Sequence, residues 1–64
     1  MIKVTIKLKE GGEVYYTLTA ANWEIMKILL DDNSVDDVQF VDAVMGNSHI
    51  ERNLIESYTA KEVK

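Results

Sequence analysis

The sequence predicts a small α+β domain, with one helix packed on one face of a small antiparallel sheet in the order ββαββ. Two observations carry this prediction. Apolar and polar residues alternate with a period of two over residues 2–9 and again over 13–18, as in half-buried strands. Over residues 20–31 apolar residues recur at helical spacing, directly after Thr19, whose hydroxyl can cap a helix. A chain of 64 residues has room for a single domain.

The first two strands are expected to form a hairpin around Gly11 and Gly12. A two-residue loop would place the apolar residues of the two strands on opposite faces of the sheet. A three-residue loop at 10–12 keeps them on one face, with Leu8 opposite Val14 and Gly12 in the left-handed conformation. The same register pairs Ile6 with Tyr16, Val4 with Leu18, Lys9 with Glu13, Lys7 with Tyr15 and Thr5 with Thr17.

The helix is expected to end in the short polar side chains of residues 31–34, which compete for backbone hydrogen bonds. Its apolar residues form two stripes, and their combined arc is wider than one sheet face covers. The second stripe, which consists of Trp23, Met26 and Leu30, therefore needs another cover. Either the last part of the chain folds over it, or a partner protein does. The stripe expected to face the sheet consists of Ala21, Ile25, Ile28 and Leu29.

The second half of the chain allows two interpretations. Residues 35–45 contain β-branched and aromatic side chains that favour a strand, although Ser34 can also cap a helix there. Residues 46–48 are expected to form a turn, and one helix through residues 50–58 is the alternative to a final strand. The expected elements are strands at about 2–9, 13–18, 37–44 and 54–60, a helix at about 20–31 and a short helical turn at 49–53.

Composition excludes several classes of function. The chain has no cysteine, which excludes disulfides, zinc ribbons and thiol redox chemistry. His49 is the single histidine, and no nucleophile stands at a recognisable spacing from it, so we expect no enzymatic activity and no cofactor. The acidic run at 31–37 does not match a calcium-binding EF-hand loop, because Val35 and Asp36 occupy the fifth and sixth positions. No metal site is therefore expected.

Charge and hydropathy patterns restrict the compartment and the partners. We expect a cytoplasmic protein, because neither a signal peptide nor a run of about 18 apolar residues is visible. The formal net charge of −4 disfavours general binding to nucleic acids, which needs clustered lysine and arginine. Residues 1–9 are basic and residues 31–42 are acidic, so the charge is unevenly distributed along the chain.

Several segments resemble small proteins encoded by phages and prophage regions. These are the opening MIKVTIKL with Gly11 and Gly12, the stretch YTLTAANWE at 16–24, and the ending NLIESYTAKEV at 53–63. Members of that group that are understood bind and inhibit a host protein or serve as accessory structural pieces. The resemblance therefore implies a protein that acts by contact, and it assigns no functional residue.

The function predicted from the sequence is that of a non-enzymatic binding protein that acts by protein–protein contact, with no membrane involvement. The first alternative is a self-assembling structural protein, a homodimer or larger, since a chain this short has a small core. The second is nucleic-acid binding through Lys3, Lys7 and Tyr15 on the outer sheet face. The predicted partner surface consists of Trp23, Met26, Leu30, Asp31, Asp32, Asp36 and Asp37.

Overall fold

A computed structural model describes residues 1–63, which fold as five strands and one α-helix. The α+β class is therefore confirmed, but the strands form two antiparallel sheets instead of one. The larger sheet has the order β2-β1-β5, and the smaller one pairs β3 with β4. The elements are β1 (Ile2–Leu8), β2 (Glu13–Leu18), α1 (Ala20–Asp31), β3 (Asp37–Asp42), β4 (Gly46–Glu51), a 3₁₀ turn (Arg52–Leu54) and β5 (Ile55–Glu62).

Helix α1 has the bounds that the sequence predicts. The Thr19 hydroxyl oxygen accepts a hydrogen bond from the backbone N–H of Asn22 at 3.2 Å, as expected of an N-cap. Such a cap stabilises a helix by about 1 kcal/mol. At the other end the backbone N–H of Asp32 donates to the carbonyl of Leu29. With twelve residues, the α-helix described within residues 1–63 falls short of the length and apolar content of a membrane-spanning helix.

The β1–β2 hairpin has the predicted faces but a different register. Leu8 and Gly12 close a three-residue loop at 9–11, with the Leu8 N–H donating to the Gly12 carbonyl at 3.1 Å. The predicted loop at 10–12 is therefore wrong by one residue, and Ile6 lies opposite Val14. Gly11 takes the left-handed conformation that the third loop position needs, with φ of 99°. Moving the loop by one residue changes the facing partner of each β1 residue by two positions. Because this shift is even, every side chain stays on its predicted face.

The second half contains a strand that the sequence analysis did not anticipate. Strand β3 confirms that this segment is a strand and not a helix, but it ends at Asp42 instead of residue 44. Residues 46–48 open β4, and the turn lies at 43–45. The expected helical turn at 49–53 is wrong in its first half, which belongs to β4. Pairing of Ile50 with Val38 and of His49 with Gln39 overrides the local capping pattern.

The core lies between the two sheets and α1. An edge-to-face contact between the rings of Tyr16 and Phe40, with centroids 4.6 Å apart, joins the larger sheet to β3. A second one, between Trp23 and Tyr58, joins α1 to β5 at 5.9 Å. Aromatic pairs of this geometry contribute about 1 kcal/mol beyond the area they bury. The buried apolar residues are Val4, Ile6, Leu18, Trp23, Met26, Leu30, Val38, Phe40 and Ile50.

Arg52 closes the C-terminal end of α1 from a distant part of the chain. No basic residue lies in the last turn of the helix, whose final carbonyls lack intrahelical partners. The Arg52 guanidinium donates hydrogen bonds to the carbonyls of Leu29, Leu30 and Val35, the one to Leu30 at 2.7 Å. Its backbone N–H donates to the carbonyl of Asp36 at 2.8 Å. One side chain thus joins the helix end, the following loop and the start of the 3₁₀ turn.

Asp42 joins the two sheets at the opposite end of β3. Its side chain is only 4% exposed and accepts hydrogen bonds from three backbone N–H groups. Thr17 in β2 donates to one carboxylate oxygen at 3.0 Å, and Val44 and Met45 in the turn donate to the other. The backbone N–H of Ala43 donates to the Thr17 carbonyl. The N–H and the carbonyl of Thr17, which both point outward from the β2 edge, are therefore paired.

Replacing Arg52 with methionine is expected to lower the free energy of unfolding by about 3 kcal/mol, because three part-buried carbonyls lose charge-assisted bonds. The unfolding midpoint of so small a domain then falls by roughly 12–24 °C. Thermal and urea unfolding followed by circular dichroism measure both quantities. Arg52→Lys serves as the control for charge and should recover only part of the loss, since one ammonium group cannot reach three carbonyls in fork geometry. Wild-type stability of Arg52→Met would contradict this role.

Stability is expected to decrease at acid pH through Asp42. Burial raises the pKa of this carboxyl, but the three N–H groups of Met45, Thr17 and Val44 outweigh that effect and hold the pKa below its ordinary value. A lowered pKa in the folded state means that the stabilisation is present above the unfolded pKa and is lost as pH falls through the folded one. Asp42→Asn should be less stable at neutral pH and should lose less on acidification. Parallel pH curves for the two proteins would contradict the assignment.

Candidate functional site

The structure reverses the expected roles of the two apolar stripes on α1. Trp23, Met26 and Leu30, predicted as an exposed partner surface, are 9%, 0% and 6% exposed. Ile25 and Ile28, predicted to pack on the sheet, are instead 57% and 66% exposed. Their assignment to the partner surface is therefore wrong, and the alternative that the last part of the chain folds over them is confirmed by Tyr58 against Trp23. The apolar face that α1 offers to solvent is the other one.

The physical reason for the reversal is the position of the second sheet. Strand β3 lies against α1 and turns Val38 and Phe40 towards the helix, while Tyr58 from β5 covers Trp23. Two sheets instead of one thus cover the side of the helix that carries Trp23, Met26 and Leu30. That enclosure leaves Ile25 and Ile28 on the open side.

A groove runs between α1 and the outer face of the β3–β4 hairpin, and we name it the helix–hairpin groove. Ile25 borders it on the helix side and Val41 on the hairpin side. Its volume of about 640 Å³ lies within the range of small-molecule and peptide sites. Polar side chains separate the apolar borders, which suits recognition of a side chain with an apolar stem and a polar end. The groove is lined by Asn22, Ile25, Asp37, Gln39, Phe40, Val41, Asn47, Ser48 and His49.

Acidic residues surround the end of this groove where β3 begins. Asp37 on β3 lies directly opposite Glu51 on β4, and like charges in facing positions of a sheet repel one another. An adjoining groove is lined by Asp36, Asp37, His49, Glu51, Arg52 and Asn53. The structure thus brings Asp36 and Asp37 together with Glu51, which the sequence analysis did not include.

Asp31 and Asp32 lie at the other side of the loop and are held by local bonds. Asp31 accepts a hydrogen bond from the Tyr58 hydroxyl at 2.8 Å, and this bond raises the pKa of Tyr58. Asp32 accepts from both the hydroxyl and the backbone N–H of Ser34, and the hydroxyl bond is the main cause of its lowered pKa. Both carboxylates remain exposed, so they add negative potential while their positions are fixed.

His49 is a surface residue on β4. Its Nδ1 lies 3.0 Å from a carboxylate oxygen of Asp37. Glu51 follows on the same face of β4, and Asp42 is buried at the far end of β3. Among residues 1–63, no group of three histidine, aspartate or glutamate side chains is placed to hold a metal ion.

The outer face of the larger sheet carries the residues considered for nucleic-acid binding. The Lys3 ammonium lies over the Tyr15 ring, 4.9 Å from its centroid. Lys7 pairs with Glu56 at 3.8 Å, and the Tyr15 hydroxyl donates to Glu13 at 2.8 Å. Two of the three candidates therefore have acidic neighbours, which reduce the positive potential that phosphate binding requires. Binding of nucleic acid through this face stays a prediction.

Val44 and Met45 are exposed apolar residues that the sequence analysis did not single out. They occupy the β3–β4 turn and are 85% and 65% exposed, although turns usually carry polar side chains. The sequence signal that could have identified this exposed pair is the occurrence of two consecutive large apolar residues directly before Gly46. Their backbone N–H groups bind Asp42, so the turn conformation holds both side chains outward.

The chain matches no family model, no curated protein and no solved structure in the three comparisons made.

The reversal of the two stripes is testable by alanine substitution. Trp23→Ala is expected to lower the free energy of unfolding by about 3–5 kcal/mol, because it removes a buried indole from the core. Ile28→Ala should change it by less than about 0.5 kcal/mol, since its side chain lies in solvent. Urea unfolding of both variants measures the difference. Equal effects of the two substitutions would mean that α1 is rotated differently from the arrangement described.

Proposed function

We propose that this chain is a non-enzymatic protein-binding module that uses the helix–hairpin groove and the exposed face of α1. The observation that carries the proposal is the exposure of Ile25 and Ile28 on one helix face, beside the groove that Ile25 shares with Val41. Contiguous exposed apolar side chains next to a concave, partly polar surface are typical of contact sites between proteins.

The charge around the groove indicates the chemistry of the partner. Asp37 lines the groove, and Asp36 and Glu51 lie next to it in the adjoining groove, with Asp37 and Glu51 directly opposite each other. A basic side chain from a partner would relieve this repulsion, and its aliphatic stem would pack against the apolar border of the groove. We therefore propose a partner segment with apolar residues next to lysine or arginine. Complementary charge of this kind accelerates association and makes it sensitive to salt.

The proposed surface keeps part of the surface predicted from the sequence. Asp31, Asp32, Asp36 and Asp37 keep their proposed role as acidic residues of the partner surface, while Ile25 and Ile28 take the place of the buried stripe. The resemblance of several segments to small phage and prophage proteins supports a modulator of a host protein as the biological setting. A cytoplasmic location is part of the same proposal.

The proposal is tested by capture from a cytoplasmic extract, followed by titration of the identified partner against purified variants. The double variant Ile25→Ser/Ile28→Ser is expected to weaken binding at least tenfold, corresponding to about 1.4 kcal/mol, because it removes apolar area from the contact. Its far-ultraviolet circular dichroism should match the wild type. Asp36→Asn/Asp37→Asn should slow association and reduce its dependence on salt.

Tyr15→Ser is the matched control, because Tyr15 is a comparably exposed apolar residue on the outer face of the larger sheet. It should bind as the wild type does. A partner that binds the isoleucine double variant with unchanged affinity, or that loses affinity with Tyr15→Ser, would refute the helix–hairpin groove as the contact site.

A further inference from the structure

Strand β5 forms an edge of the larger sheet, and its hydrogen bonds to β1 define which backbone groups are free. The Val63 N–H donates to the Met1 carbonyl at 2.8 Å, so Val63 directs its backbone groups towards β1. Because successive residues of a strand alternate, Lys61, Thr59 and Ser57 do the same in the regular part of the register. The backbone groups of the residues between them point away from β1.

The other edge of the sheet confirms this alternation independently. Thr17 in β2 lies opposite Lys3, whose backbone groups face β5 by the same reasoning. Thr17 must therefore direct its own N–H and carbonyl away from β1, and it does so, binding Asp42 and Ala43. That edge is thus occupied at this point by the β3–β4 turn.

Strand β5 has no such cover within residues 1–63. Tyr58, Ala60 and Glu62 each direct one N–H and one carbonyl outward, and no strand pairs with that side. The strand is eight residues long and contains no proline, and its residues after Tyr58 are exposed. An uncovered edge of this length is a ready template for another strand.

We propose that β5 pairs with β5 of a second copy, in antiparallel orientation across a two-fold axis, and thereby joins two three-stranded sheets into one sheet of six strands. A two-fold axis perpendicular to the sheet keeps equivalent residues on the same face, so facing residues must lie an even number of positions apart. This constraint reduces the possible pairings to a small number.

Only the register centred on Ala60 pairs all three outward-directed residues with one another. In it Ala60 faces Ala60 of the second copy, Tyr58 faces Glu62, and six backbone hydrogen bonds form. The register centred on Thr59 places Glu56 against Glu62, and the one centred on Lys61 places two lysines in contact. Like charges in facing positions destabilise a sheet. The Ala60 register has none, and this self-complementarity is the reason to assign the edge to a second copy of this chain.

The pairing is tested first by sedimentation over a range of micromolar concentrations. The wild type is expected to sediment as a monomer–dimer equilibrium, and Ala60→Pro to raise the dissociation constant of the dimer at least tenfold. Proline removes an N–H that the β1–β5 ladder does not use, so circular dichroism should show a folded monomer. Ala60→Val retains the N–H and is the matched control. A wild type that remains monomeric throughout, or an Ala60→Pro variant that is folded and dimerises normally, would overturn the proposal.

A charge exchange tests the register without proline. Thr59 faces Lys61 of the second copy, so Thr59→Lys should weaken the dimer severalfold and Thr59→Glu should strengthen it. The double variant Thr59→Lys/Lys61→Glu should regain the dimer. Equal dimerisation of all three variants would contradict the Ala60 register.

The absence of native cysteine in the sequence permits a direct distance test. Ala60→Cys should form a disulfide-linked dimer on mild oxidation, because the two sulfur atoms face each other at the axis. Ser57→Cys is the control, since its two copies would lie six residues, or roughly 20 Å, apart along the strands. Equally fast crosslinking of the two variants would refute the register. Because β5 lies apart from the helix–hairpin groove, failure of this proposal and failure of the binding proposal are separately observable.

Discussion

The contact on which the fold most depends is the one between Arg52 and the end of α1. A twelve-residue helix is marginal by itself, and this one has no basic residue of its own near its final carbonyls. The Arg52 guanidinium donates at once to the carbonyls of Leu29 and Leu30 in the last turn and of Val35 in the following loop. It therefore determines the position of the helix end relative to the β3–β4 hairpin. That position in turn decides which side of the helix the hairpin covers.

Asp42 provides the complementary constraint at the other end of β3. A buried carboxylate is costly unless it is fully hydrogen-bonded, and here three backbone N–H groups satisfy it. Together the arginine and the aspartate hold the smaller sheet at both ends against the rest of the chain. The apolar residues between them, such as Val38 and Phe40, are then turned towards Met26 and the helix. The polar contacts of Arg52 and Asp42 thus direct the packing of the apolar core.

Features that depend on neighbouring residues were predictable from the sequence, whereas features that depend on distant contacts were not. The bounds of α1 follow from Thr19 and a local polar cluster, and the faces of the first hairpin follow from strict alternation, so both were predictable. The register was not, because either Gly11 or Gly12 can occupy the left-handed loop position. The exposed face of α1 stayed open between two alternatives, and folding of the last part of the chain over Trp23, Met26 and Leu30 was one of them. Both of its stripes are apolar, and the choice between them depends on Arg52, which lies more than twenty residues away and carries no local signal.

The monomer fold gives no structural reason for the isoleucines at positions 25 and 28. Their side chains lie mostly in solvent, and the buried stripe of α1 supplies its contribution to the core. Alanine or a charged residue at either position would favour helix formation at least as well. The proposed contact with a partner protein would account for two large apolar side chains at these places beside a groove. If β5 joins two copies, each dimer carries two helix–hairpin grooves, and a partner with repeated segments would bind it with an avidity that a monomer cannot reach.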